Sequence, residues 1–167
     1  MGWTGGALQG PFTARAAIEF EFGAEFLPRV IDTARYGTVI YAAVRALDKQ
    51  QIFGLVLLAE RHGGVLYTKP ISEDMGPSED HCPARILDLL TEPSNDWARQ
   101  WRERCRARLA KPRPRDGQTV TFSESITFTN GQTHSSFTYQ GGSRFCTHNG
   151  CLCRITRWRD LDFTVTQ

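Results

Sequence analysis

Ile52-Phe53-Gly54-Leu55-Val56-Leu57-Leu58-Ala59-Glu60 is the stretch on which the fold turns. From Phe53 to Ala59 no polar side chain appears. The run is far short of the roughly 18 apolar residues of a membrane span and has the length of a strand. A strand with one wet face alternates apolar and polar residues; this one does not, which predicts a central strand covered on both faces. Its neighbours agree. Thr38 to Leu47 and Val65 to Ile71 are rich in β-branched, aromatic and aliphatic residues, and Val30 to Tyr36 is a weaker run of the same kind. Asp48 to Gln51 and His62-Gly63-Gly64 read as hairpin loops between them. The expectation is an antiparallel meander. A helix within Gly10 to Gly23, with Ile18 and Phe22 on one face and Phe12 and Arg15 upstream, packs on it.

Further along, Ser72 to Pro83 reads as loop. Pro83 opens a helix through Ile86, Leu87, Leu89 and Leu90. Glu92-Pro93-Ser94-Asn95-Asp96 ends it and caps another, with Ser94 or Asn95 as N-cap and Asp96 against the positive end of the helix dipole. Trp97, Trp101, Cys105 and Leu109 recur every four residues and read as the buried stripe of that helix. Neither proline of Lys111-Pro112-Arg113-Pro114-Arg115-Asp116-Gly117 can continue it, so this segment reads as a semi-rigid linker. Beyond it Val120/Phe122, Ile126/Phe128 and Phe163/Val165 alternate, and Asn130-Gly131 and Asn149-Gly150 signal hairpins. A strict two-residue turn at the first would set Phe128 against Thr133, which points to a longer loop there. The fold class expected is α+β: a sheet with packed helices over 1–110, a linker over 111–117, and a small SH3-like or OB-like β-barrel over 118–167.

The chain has 167 residues, 40% apolar and 23% charged, which excludes a disordered polyelectrolyte. Its net charge of +2 divides into −4 over residues 1–95 and +6 over 96–167. Arginine outnumbers lysine 17 to 3, in both halves, as a GC-rich genome would produce. Five cysteines, an odd number, and an opening without a basic or apolar leader region point to reduced thiols in the cytoplasm.

Three constellations carry chemistry. Arg99, Arg102, Arg104, Arg106, Arg108, Lys111, Arg113 and Arg115 form a basic row through the second helix and the linker. Of these, Arg99, Arg102, Arg106, Lys111, Arg113 and Arg115 are the candidates for contact with nucleic acid or an acidic protein surface. Cys146-Thr147-His148-Asn149-Gly150-Cys151-Leu152-Cys153 is the second. A two-residue turn would put Cys146, His148, Cys151 and Cys153 on one hairpin face, a donor set suited to zinc but laid out as a flat rectangle. Zinc is therefore the alternative to a chain without cofactor. The acidic loop Glu73, Asp74, Glu79, Asp80 with His81 and Cys82 is the third and would host any minor enzymatic role. No phosphate-cradling glycine loop, nucleophile elbow or His-Glu-x-x-His is present in the sequence, so a non-enzymatic role is the expectation and no small-molecule substrate is evident.

Met1-Gly2-Trp3-Thr4, Tyr41-Ala42-Ala43-Val44, the block Met75-Gly76-Pro77…Cys82-Pro83…Ile86-Leu87-Asp88-Leu89-Leu90-Thr91…Trp101-Arg102…Cys105, then Ile126-Thr127-Phe128-Thr129-Asn130-Gly131 and Arg154-Ile155…Trp158-Arg159 follow one another along the chain. In these the chain resembles an uncharacterised family of phage, plasmid and other mobile-element proteins. The likeness covers most of 36–166 and is clearest at 67–105; the first forty residues and the cysteine cluster depart from it. The resemblance implies an accessory protein that binds host machinery, including defence complexes of the kind targeted by anti-CRISPR or anti-restriction proteins, or nucleic acid. Its setting would be the bacterial cytoplasm, with no membrane partner and homo-oligomers allowed.

Overall fold

The computed structural model describes residues 2–8, 10–48 and 50–167; Met1 of the opening motif and Lys49 of the first hairpin loop lie outside the described residues. The chain divides into two compact units, Met1–Leu109 and Ala110–Gln167. Both are built on antiparallel sheets, α-helices pack on the first and a single 3-10 turn, Trp158–Asp160, accompanies the second, so the class is α+β.

In the first unit the sheet runs β1(Thr4–Ala7)-β5(Val65–Ser72)-β4(Ile52–His62)-β3(Val39–Arg45)-β2(Val30–Tyr36). β4 is central and buried on both faces. Leu55, Leu57 and Ala59 join Ile40, Ala42, Val44 and Leu66 against Ala17 and Ile18 of α1(Ala14–Phe22). Val56, with Tyr41 and Ala43 of β3, faces Ile86, Leu87, Trp101 and Cys105 on the other side. Helix α1 starts where the Thr13 hydroxyl accepts from Ala16 N at 3.1 Å and stops at Gly23, φ 87°. β1 was not foreseen, since Thr4-Gly5-Gly6-Ala7 has little strand propensity; pairing with β5 supplies what propensity does not.

The helix expected to run on from Pro83 is shorter than its apolar residues imply. α2(Ala84–Leu87) is a single turn with Pro83 as its cap residue. Thr91 then draws the chain to the start of β4, its hydroxyl accepting from Ile52 N at 3.0 Å and its own N–H donating to Ile52 O at 3.0 Å. α3(Asp96–Ala110) follows.

The second unit holds the order β10(Phe163–Thr166)-β6(Thr119–Thr127)-β7(Thr133–Tyr139)-β8(Arg144–Cys146)-β9(Leu152–Arg154). One face carries Val120, Phe122, Phe137 and Phe145, closed over by Ile155 and Trp158. Phe122 meets Phe137, Phe145 and Phe163 edge-on at 5.8, 6.0 and 6.1 Å between ring centroids. Among the described residues no ladder joins β10 to β9. The sheet is open and is not closed into the SH3-like or OB-like barrel expected from its strand spacing. The aromatic side chains cluster on one face of it. Among the described residues no helix is long and apolar enough to cross a membrane.

Candidate functional site

Helix α3 begins as its sequence indicates, with Asn95 Oδ1 accepting from Ala98 N at 2.9 Å. Its buried arc differs from the four-residue stripe. Ala98, Trp101, Arg102 and Cys105 face inward, whereas Trp97 is 61% exposed and Leu109 37%. A spacing of four advances about 40° beyond a full turn at each step, so four such positions fan out over roughly 120° and cannot share one narrow contact. Trp97 falls on one side of the arc and lies across Gly76, whose φ of +64° belongs to the left-handed region. Met75, 53% exposed, precedes that glycine.

Arg102 belongs to the interior. Its Nε and Nη2 donate to Oε2 and Oε1 of Glu73 at 2.7 and 2.6 Å, and its Nη1 donates to Thr91 O. Glu73 is 1% exposed and Arg102 7%. A two-pronged buried pair of this kind satisfies its own charges, so Arg102 leaves the set of residues available to a partner. The pair sits where Gly54 of β4 has no side chain. A Cβ there would meet Trp101 Cζ3 at 2.7 Å and Glu73 Oε2 at 3.3 Å.

Other members of the basic row are held by local partners to differing degrees. Arg104 Nη2 donates to Pro77 O at 2.7 Å, and Arg108 Nε to Asp80 Oδ1 at 2.7 Å. Arg99 pairs with Asp96 at 2.6 Å on the exposed side of α3. Arg106 is exposed on the flank of the helix opposite Trp97. Within the second unit, Lys111 Nζ donates to the carbonyls of Arg159 and Leu161, both at 3.0 Å, so it fastens the linker and does not project from it. Arg113 and Arg115 are exposed. The six candidates thus separate into Arg99, Arg106, Arg113 and Arg115 at the surface, Lys111 half-buried, and Arg102 inside.

The acidic loop is equally committed. Glu73 serves Arg102, Asp80 serves Arg108, and the Glu79 carbonyl accepts the Trp101 indole N–H at 2.8 Å. The His81 ring stacks on Tyr36 at 4.3 Å, and the His81 backbone N–H donates to the Tyr41 hydroxyl at 3.0 Å. Burial pushes the Cys82 thiol well above its ordinary range and that of Cys105 up to about 12. Burial thus works against the thiolate, the form that nucleophilic chemistry uses, at both sulfurs.

The cysteine hairpin differs in register from the expected one. Thr147 N donates to Cys151 O and Gly150 N to Thr147 O, both at 2.9 Å, so the loop is His148-Asn149-Gly150, three residues closed by Gly150 at φ +81°. The extra residue pairs Cys146 with Leu152 and Phe145 with Cys153. Cys146 and Cys153 therefore fall on opposite faces. Cys153 packs into the aromatic core, where burial raises its thiol. Cys146, His148, Cys151 and Cys153 do not converge, and among the described residues no group of three or more His, Cys, Asp or Glu is placed to hold a metal ion. All five cysteines are free thiols. The Asn130-Gly131 turn shows the same three-residue device, with Phe128 N donating to Gln132 O at 2.8 Å.

Sequence reasoning placed Trp97 in the core and missed it as a surface group. The signal lay in helical angle: Ala98, Trp101, Arg102 and Cys105 follow the i, i+3, i+4, i+7 pattern, which leaves Trp97 to one side.

A protein family described as a domain of unknown function (DUF6927) matches residues 92–158, from the turn before α3 to Trp158. This fits an uncharacterised family. No curated protein and no solved structure matches the chain.

Proposed function

We propose that the chain is a non-enzymatic accessory protein of a mobile element. It works in the bacterial cytoplasm by docking on an acidic protein surface of host machinery, such as a defence complex. The observation that carries this reading is Trp97, 61% exposed and lying across Gly76 next to Met75 at 53%, on the side of α3 that also presents Arg104, while Arg99 and Arg106 line the opposite flank. Tryptophan, methionine and arginine are the residue types enriched at protein interfaces, and rim arginines steer towards acidic partners. Nucleic-acid contact along the helix is the weaker reading, because Arg102 is internal and Arg104 and Arg108 are bonded to the acidic loop.

The test is capture from nuclease-treated bacterial lysate by the tagged protein, compared with Trp97→Ala and Arg106→Glu variants whose fold is checked by circular dichroism. Protein partners retained by the parent and lost by Trp97→Ala are expected. An identical set captured by Trp97→Ala, or capture abolished by nuclease, overturns the reading.

A further inference from the structure

The outer face of the second sheet is built unlike any other surface described above. Alternation from the buried Val120, Phe122, Phe137 and Phe145 assigns its members. They are Thr164 and Thr166 on β10, Thr119 and Thr121 on β6, Ser136 and Thr138 on β7, Arg144 and Cys146 on β8, and Leu152 and Arg154 on β9. The ladders align them into rows. One runs Thr166, Thr119, Thr138, Cys146, Leu152, and beside it lie Thr164, Thr121 and Ser136. Thr121 and Ser136 hydroxyls bond across the strands at 3.2 Å.

None of these positions is acidic. At the β9 edge Arg144 and Arg154 stand directly opposite each other, both exposed. Like charges in that position repel, so the sheet carries a local cost that a bound anion would relieve. Arg154 Nε donates to a neutral partner, the Ser143 hydroxyl at 3.0 Å. The carboxylate of Asp116 approaches the Gly141 turn on the side of Arg144. Between the two arginines and the turn Gly141-Gly142-Ser143 lies a cleft, with the exposed Leu152 at its wall.

We propose that this face binds the phosphodiester backbone of a nucleic acid without sequence preference, the cleft between Arg144 and Arg154 taking phosphates and the threonine rows tracking the strand. Hydroxyls and guanidinium groups are the donors that make backbone contacts, and such contacts carry no base information. Four interstrand steps give the face a width of about 19 Å, enough for several successive phosphates. The ten outward positions named carry two arginines and no carboxylate, Glu124 standing apart in the irregular stretch of β6 beyond Thr121, and this charge favours a nucleic acid over an ampholytic protein surface. The proposal does not depend on the Trp97 surface, which lies in the other unit.

The experiment is fluorescence anisotropy of a labelled 20-mer, single-stranded and duplex, against the whole protein between about 50 and 200 mM salt. The variants are Arg144→Gln/Arg154→Gln, with Arg113→Gln/Arg115→Gln and Trp97→Ala as comparators. Binding that weakens steeply with salt is expected. The Arg144/Arg154 double variant should bind at least tenfold more weakly, with a salt slope shallower by about 1 to 2, while Trp97→Ala binds as the parent does. No binding of either oligonucleotide at the lowest salt overturns the proposal. So does binding unchanged in the double variant but lost in Arg113→Gln/Arg115→Gln, or binding of a polyglutamate peptide in place of DNA.

Discussion

The two sheets solve one problem in opposite ways. β4 of the first is apolar residue after residue and is covered by α1 on one side and by α2 and α3 on the other. β6 and β7 of the second alternate over Thr119–Phe122 and Ser136–Thr138, with Val120, Phe122 and Phe137 on one face and hydroxyls on the other, before β6 bulges beyond Thr121. The first sheet takes α1 through apolar contacts alone and α3 over the buried Glu73–Arg102 pair. The second sets Arg144 and Arg154 on its bare face. The same residue type is therefore structural at Arg102 and displayed at Arg144 and Arg154, and a count of arginines does not distinguish them.

The comparison breaks most visibly at the buried pair. Arg102→Ala or Glu73→Ala strands a charge beneath α3 and is expected to cost about 3–5 kcal/mol, read by urea denaturation. Replacing both with apolar residues of similar volume should recover most of that loss, and a loss that persists would show the pair to be needed as such. Gly54→Ala comes next. The new methyl collides with the Trp101 ring, and overpacking of this kind costs about 1–3 kcal/mol. The smallest effect has the opposite sign. Arg154→Thr removes the cross-strand repulsion with Arg144 and should stabilise the protein by about 0.2–1 kcal/mol, seen as a small rise in Tm. A fall in Tm would mean that the Arg154–Ser143 bond outweighs the repulsion.

The meander was legible because an uninterrupted apolar run has few uses other than a central strand, and because Asp48 and Gly63-Gly64 punctuate it. The interior of α3 was not. Whether Trp97 or Arg102 turns inward depends on Glu73, which lies 29 residues before Arg102, and on the room left by Gly54; neither is visible within the helix itself. The Asn-Gly pairs disclosed where the chain reverses, since they supply the positive φ, but not whether two residues or three fill the loop. That single residue decided on which face Cys146 and Cys153 lie. Closure of the second sheet depends on contacts between its two edge strands, Phe163–Thr166 and Leu152–Arg154, which no local pattern encodes. Of the surface arginines, Arg144 and Arg154 became conspicuous only once the ladder set them side by side.

Each core also encloses one indole in the same fashion. Trp101 donates its N–H to Glu79 O and Trp158 to Gly142 O, both at 2.8 Å, and the two residues are 0% and 5% exposed. The chain thus carries an intrinsic optical probe in each unit. Buried, hydrogen-bonded indoles emit to the blue and are sheltered from quenchers, while Trp3 and Trp97 are open to them. With the exposed pair replaced by phenylalanine, the remaining emission reports which of the two cores yields first as the protein unfolds.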